Sequence, residues 1–261
     1  MANYDFPTEV ISLPSQGKCY PEDNPLSSGD PESNPLSKGT LEIKYMTAKE
    51  EEILASQNLI RKGVVLDKLF ESIIVDKNVN IDDILIGDKN AIMLAARILG
   101  YGPEYQIQQE NEFGEKETIT IDLSKVQTKE VDFSKINADN KYEFSTTNGQ
   151  EIEFRLLTHG DEKKIDTDVK AINRLNKDGA TSELTTRYRY MITSVDGDET
   201  TSAITKFVNN QFLTRDTRKF RDLIRELQPD VKMEYEYEDP NTGENEVKPI
   251  PMGVGFFWPT D

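Results

Sequence analysis

The chain has one histidine, His159, and its sequence surroundings do not favour acid–base catalysis. It follows Thr158 at the predicted start of a helix, where a first-turn structural role is ordinary. A histidine base needs a nucleophile, and neither a G-x-S-x-G sequence nor a cysteine accompanies it. The only cysteine, Cys19, excludes an intrachain disulfide and any multi-cysteine metal site. We therefore predict no catalytic residue.

The acidic residues do not form a recognisable metal or cofactor motif. Asp196-Gly-Asp198-Glu-Thr200 resembles the start of a calcium loop, but Thr201 and Phe207 stand where that loop needs Gly and Glu. Helix caps and turns explain these residues instead. There is no Walker loop, and the glycines near the C-terminus do not complete a dinucleotide fingerprint. We predict no metal site and no cofactor.

Basic residues concentrate in one predicted helix that Asp216 opens. They are Arg215, Arg218, Lys219, Arg221 and Arg225. Arg218 and Arg221 are candidates for binding an acidic partner surface or a phosphate group. The interleaved acids Asp222 and Glu226 favour the alternative, which is a solvated face with pairs four residues apart.

Both ends of the chain carry apolar residues suited to partner binding. Residues 1–40 are rich in Pro and Gly and contain a tandem copy over 24–39, so we predict an extended arm that drapes over a neighbour. Its candidate anchors are Phe6, Val10, Ile11 and Leu13. In the tail, 251–261, the aromatic residues either close the core of this chain or dock into a partner. They are Phe256, Phe257 and Trp258.

Composition narrows the class of protein. With 31 basic and 48 acidic residues the net charge is −17, so nonspecific nucleic-acid binding is not expected. Apolar residues make up 36% of the chain, which allows an adequate but thin core. We find no signal peptide and no apolar stretch near the roughly 20 residues of a membrane span. The expectation is a soluble protein of a reducing compartment, without membrane contact.

Hydrophobic periodicity predicts a mixture of helices and short strands. Residues 41–46 alternate as a strand, and Thr47 with Glu50 forms a capping box for a helix over about 48–60. An amphipathic helix over about 65–74 and a third over about 88–99 follow. Alternating segments on either side of Gly114 then predict a hairpin.

The second half repeats this order. A strand over 151–157 precedes Thr158 and Asp161, then a helix to about 176, a helix over about 182–194, and the helix opened by Asp216. A hairpin around the Asp239–Gly243 turn completes it. The predicted fold class is α+β, with two tandem similar modules at 41–130 and 140–250. An ancient duplication explains the repetition, and a chance recurrence of a common order is the alternative.

Several segments together resemble the baseplate hub and hub-assembly proteins of T-even-like contractile-tailed bacteriophages. The likeness spans nearly the whole chain, and each segment alone is weak. The segments are Phe6–Ser15, Lys44–Leu54, Leu85–Asn90, Arg97–Gly102, Leu157–Glu162, Thr185–Arg187, Ser194–Asp198 and Phe256–Pro259.

This resemblance implies a structural or assembly role in the phage tail baseplate, with other tail proteins as partners. Synthesis would occur in the host cytoplasm, and the oligomeric state stays open. One alternative is a transient tail-assembly chaperone absent from the virion; a remote one is a carboxylate-based cell-wall hydrolase. Some relatives carry Cys pairs in the first hairpin, as in a zinc ribbon. This chain has none over 103–130, so metal binding is not carried over.

Overall fold

The computed structural model describes residues 7–21, 34–110, 116–175, 182–238, 243 and 245–257. Within these ranges the chain forms eight α-helices and nine strands, which confirms the predicted α+β class. The helices are α1 Ala48–Ala55, α2 Gln57–Lys62, α3 Val65–Ile73, α4 Ile86–Tyr101, α5 His159–Leu175, α6 Glu183–Met191, α7 Thr201–Asn210 and α8 Thr214–Leu227.

The strands form small antiparallel sheets rather than one large sheet. They are β1 Thr8–Ser12, β2 Thr40–Lys44, β3 Glu104–Glu110, β4 Lys116–Asp122, β5 Tyr142–Ser145, β6 Glu151–Phe154, β7 Ile192–Val195, β8 Glu234–Glu238 and β9 Asn245–Pro249. Among the described residues the sheets are β1–β2, β3–β4, β5–β6–β7 and β8–β9. Both predicted hairpins are confirmed by the pairs β3–β4 and β8–β9.

Local signals in the first half act as the sequence predicts. The Thr47 side chain accepts a hydrogen bond from the Lys49 amide, and Glu50 Oε2 accepts one from the Thr47 amide at 2.9 Å. This satisfies free amides at the start of α1. In α3 the predicted apolar stripe is inward, because Leu69, Phe70 and Ile73 are fully buried.

The two halves share several local contacts, although their element orders differ, because strand β7 lies between helices of the second half only. Glu50 at the start of α1 binds Lys44 at 2.7 Å, and Asp161 at the start of α5 binds Arg155 at 2.6 Å, each six residues back. In the third position of α4, Asp88 accepts a hydrogen bond from the Ser15 amide at 2.9 Å. The two-module duplication stays a prediction, which superposition of the halves tests.

The same likeness extends to the last helix and the hairpin of each half. Asp216 in the third position of α8 accepts a hydrogen bond from the Thr147 amide at 3.1 Å, much as Asp88 does in α4. Each hairpin closes with an amide-to-carbonyl bond of 2.8 Å. These bonds run from Leu123 to Pro103 and from Ile250 to Met233.

Three helix predictions need correction. The helix predicted over 48–60 is interrupted at Ser56, which has an extended backbone and separates α1 from α2. The helix predicted over 182–194 ends at Met191, because the β-branched residues that follow pair with β6 as a third strand. Helix α7 was not predicted, and α8 begins at Thr214, so the buried Asp216 lies within the helix.

The expectation that residues 1–40 do not pack on their own chain is wrong for the described part. Strand β1 pairs with β2 along its whole length. Leu13, Cys19, Tyr20 and Leu36 are all buried in the main core. The Pro and Gly residues shape turns that fold the segment back: Gly17 has φ of 78°, and a Cβ there would lie 2.1 Å from the Ser37 carbonyl oxygen.

The halves pack directly against each other. At Gly87 in α4, a Cβ would lie 1.8 Å from the Pro229 carbonyl oxygen, so only glycine permits this approach. Asn90 in α4 donates a hydrogen bond to Asp230 at 3.0 Å. In the second half, rings from β5, β6, α6 and α8 meet edge to face around Phe220. No helix in the described part of the chain is long and apolar enough to cross a bilayer.

Replacing Leu69 with Asp should lower the free energy of unfolding by roughly 3–5 kcal/mol, because a charge without a partner would be buried in the core. Chemical denaturation measures the change. The matched control is Lys68→Asp at the neighbouring exposed position, which removes only a surface pair with Glu71 and should cost under about 1 kcal/mol. Equal effects of the two substitutions would contradict the inward orientation of Leu69.

Candidate partner-binding surfaces

The exposed face of α8 carries the basic residues predicted to contact a partner. Phe220 and Leu227 are buried in the core, whereas Arg218 and Arg221 are exposed. The interleaved acids are engaged elsewhere: Asp222 binds Arg225 at 3.2 Å, and Glu226 binds Lys135 from outside the helix. Neither Arg218 nor Arg221 forms an ion pair with a described side chain. This face is therefore locally positive on an acidic protein.

The N-terminal strand supplies the second exposed feature. Val10 in β1 is 63% exposed, and Ile11 beside it is half-buried. As far as the structure describes the chain, β1 pairs only with β2, so its outer edge is open. An open edge with an exposed apolar side chain favours pairing with another chain. The predicted anchor Phe6 lies outside the described residues.

The other predicted anchors face inward. Leu13, Phe256 and Phe257 are each no more than 2% exposed. The ring centroids of Phe256 and Tyr105 lie 5.0 Å apart, which ties the end of the chain to β3. Trp258 lies outside the described residues. In this conformation the two phenylalanines help to close the core of their own chain, and a partner would have to displace them to use them.

A charged network that the sequence did not reveal joins the two halves. Asp67 in α3 lies 2.6 Å from His159 Nε2 and 2.8 Å from Lys163 Nζ, both of which belong to α5. Lys163 also contacts the more exposed Asp82 at 2.8 Å. The sequence predicts a first-turn position for His159, but nothing in it points to Asp67, 92 residues away.

The electrostatics of this network favour a structural role. Burial by itself raises the pKa of Asp67, but hydrogen bonds from Lys163 and His159 outweigh it and hold the pKa below its usual value. Asp67 is therefore charged at neutral pH and fixed between two donors on α5. The described partners of His159 include no hydroxyl or thiol, so the arrangement lacks the nucleophile that a catalytic histidine activates.

In the acidic turn that resembled a calcium loop, backbone amides of the chain already donate hydrogen bonds to the carboxylates. Asp198 accepts a hydrogen bond from the Thr200 amide at 2.8 Å, and Asp196 accepts one from the Glu151 amide at 2.9 Å. The Thr200 side chain then caps α7. More widely, the described residues contain no group of three or more His, Cys, Asp or Glu side chains placed to hold a metal ion.

Comparison with known proteins gives one match. The model of a family described as T4 bacteriophage base plate protein matches residues 11–258. The matched range begins within β1 and ends just after the last described residue, so it includes both halves of the chain. No curated protein and no solved structure matches.

Replacing Asp67 with Asn should lower the free energy of unfolding by about 1–3 kcal/mol, because Lys163 and His159 lose a buried charged acceptor. The matched control is Asp82→Asn, which removes the exposed partner of the same lysine and should cost under about 1 kcal/mol. Denaturant titration of both variants compares them. A larger loss at Asp82 would show that the buried carboxylate is not the main link between the halves.

Proposed function

We propose that this chain, which belongs to the T4 bacteriophage base plate protein family, acts in the hub of the tail baseplate or in the assembly of that hub. The family is one of phage baseplate proteins, so a structural role together with other tail proteins follows from membership. The hub assignment is finer, and the sequence segments that resemble hub proteins support it. The match over residues 11–258 carries the structural baseplate role, and the hub assignment rests on those sequence segments alone.

Binding by surface complementarity is the mechanism that we propose. The exposed residues available for it are Arg218 and Arg221 on α8 and Val10 on the open edge of β1. The net charge of −17 keeps free copies apart and steers the chain towards basic patches of a partner. The positive face of α8 would then bind an acidic patch. Assembly in the host cytoplasm, without nucleic-acid or membrane binding, is part of this proposal.

Two of the buried carboxylates, Glu50 and Asp161, are engaged structurally, which supports a role without catalysis. Glu50 accepts hydrogen bonds from Lys44, Ser72 and Thr47, which outweigh burial and lower its pKa to about 2. Asp161 is held in the same way by Arg155 and Thr158. These carboxylates are occupied in holding helices in place. A general acid needs a raised pKa and access to a substrate, which neither group has.

Two alternatives to a structural hub component are a transient chaperone, which differs in its final location, and a hydrolase, which differs in its activity. A transient chaperone would bind tail proteins in the infected cell and be absent from the finished particle. A carboxylate-based hydrolase would clear a peptidoglycan suspension, which a turbidity assay measures. No described feature favours the hydrolase.

Mass spectrometry of purified phage particles should detect peptides of this chain in the baseplate fraction, because a hub component remains in the virion. The infected-cell lysate serves as the control for expression. Peptides found in the lysate but missing from particles would favour the transient chaperone over the structural component.

Charge reversal of α8 should reduce co-purification of tail proteins from infected cells by at least tenfold. The change is Arg218→Glu with Arg221→Glu, and the loss follows from repulsion of an acidic partner patch. The control, Lys62→Glu with Lys206→Glu, alters the net charge equally at exposed positions on α2 and α7. Unchanged recovery with both variants would assign α8 to an ordinary solvated face.

A further inference from the structure

An open cleft separates the two β-hairpins of the chain. Its volume is about 600 Å³, within the range of about 300–1,000 Å³ that is usual for ligand sites. The α8 face and the β1 edge lie outside its lining. The lining residues are Ile119, Thr120, Ile121, Asp122, Lys125, Val126, Gln127, Lys232, Glu234, Tyr235, Glu236 and Val247.

The walls of the cleft are strand edges rather than sheet faces. Side chains of a strand alternate between its two faces, so a wall formed by one face shows every second residue. Here the lining includes the uninterrupted runs 119–122 of β4 and 234–236 of β8. Within the described structure, β4 pairs only with β3 and β8 only with β9. The edges that border the cleft therefore lack a strand partner, although the Glu234 amide already donates a hydrogen bond to the Lys232 carbonyl at 2.8 Å.

The width of the cleft is fixed at both ends. At its base, an isolated bridge joins Thr128 to Val231, and the Lys232 amide donates to the Gln127 carbonyl at 2.7 Å. Near the tips, the Tyr235 hydroxyl donates to Gln109 at 2.7 Å and the Tyr237 hydroxyl to Glu117 at 3.2 Å. These contacts fix the distance between the two hairpins, so the open strand edges are in place before any partner binds.

The chemistry of the walls indicates what would fit between them. Ile119, Ile121 and Val126 give one side an apolar surface, and Tyr235 faces it from β8. Val247, which is 63% exposed, pairs with Glu236 across the second hairpin.

The charges at the cleft differ between the two walls. Asp122 is matched by Lys125 at 3.7 Å. Glu234 and Glu236 are exposed and form no ion pair with a described side chain. The β8 side therefore offers two carboxylates against one exposed cation, Lys232, opposite an apolar surface, and the balance favours basic side chains on an incoming strand.

We propose that an extended segment of a partner protein, with alternating apolar and basic residues, adds to the edge of β8 as a further strand in this cleft. Main-chain hydrogen bonds would supply affinity, as in other cases of strand addition. The basic side chains would lie beside Glu234 and Glu236, and the apolar ones would pack on Tyr235 and Ile119. This inference rests on the proposed function and names the chemistry of a partner.

Fluorescence anisotropy with a labelled peptide of alternating Val and Lys, eight residues long, tests the proposal on the full chain. This peptide should bind at least tenfold more tightly than one of the same composition with its valines and lysines in separate blocks. A peptide of alternating Val and Glu should not bind. Equal binding of the alternating and block Val/Lys peptides would reduce the effect to nonspecific attraction and overturn the proposal.

Matched variants locate the site. Glu234→Lys with Glu236→Lys should weaken peptide binding at least tenfold, whereas Glu51→Lys with Glu52→Lys on the exposed face of α1 should not. Val247→Arg should also weaken it, and Leu184→Arg, at a 46% exposed position on α6, should not. Loss of binding with the α1 or Leu184 variants instead would overturn the assignment to the cleft.

Three further results test this inference and its premise. Sedimentation that shows self-association of the chain, lost with Glu234→Lys and Glu236→Lys, would assign the cleft to a second copy and overturn the partner segment. Failure of peptide binding, with the chain still found in purified particles, would remove the cleft proposal and leave the proposed function standing. Peptide binding by a chain absent from particles would leave the cleft proposal standing and favour the transient chaperone over the hub component.

Discussion

Buried carboxylates and the donors that surround them hold this fold together. Glu50, Asp88, Asp161 and Asp216 are each no more than 4% exposed, and each lies in the first turn of a helix. A charge removed from water is costly unless hydrogen bonds replace its hydration. Each carboxylate therefore fixes the start of a helix to the segment that supplies its donor. Lys44 and Arg155 lie at the ends of strands, and Ser15 and Thr147 lie in the connections that follow strands.

The balance between burial and hydrogen-bond donors, which sets the pKa of each carboxyl group, differs among these sites. At Glu50 the donors outweigh burial and lower the pKa to about 2. At Asp88 burial prevails and raises the pKa, although Ser15 and Tyr20 both donate to it. Asp230 has a raised pKa as well, and the two carboxyls repel each other where the halves meet. The contact between the halves thus contains both repulsive and attractive charge interactions. Asp67, with its donors on α5, contributes an attractive one.

The two hairpins contribute to the shared core, where Tyr105 and Ile121 are buried, and they also keep strand edges without a described strand partner. Family membership places the chain among phage baseplate proteins. Exposed strand edges, a positive helix face and an acidic remainder are features suited to such contacts, and none of them needs a catalytic group.

The sequence by itself determined what depends on neighbours a few residues apart. The capping box at Thr47, the apolar stripe of α3 and both hairpins follow from local spacing, and the structure confirms them. Only the tertiary structure decided that Leu13 faces inward, that residues after Met191 form a strand, and that Asp67 meets His159. Those outcomes depend on contacts between residues far apart in the chain, 92 positions in the last case. Burial and pairing at such distances are set by the whole fold, and local pattern carries no signal of them.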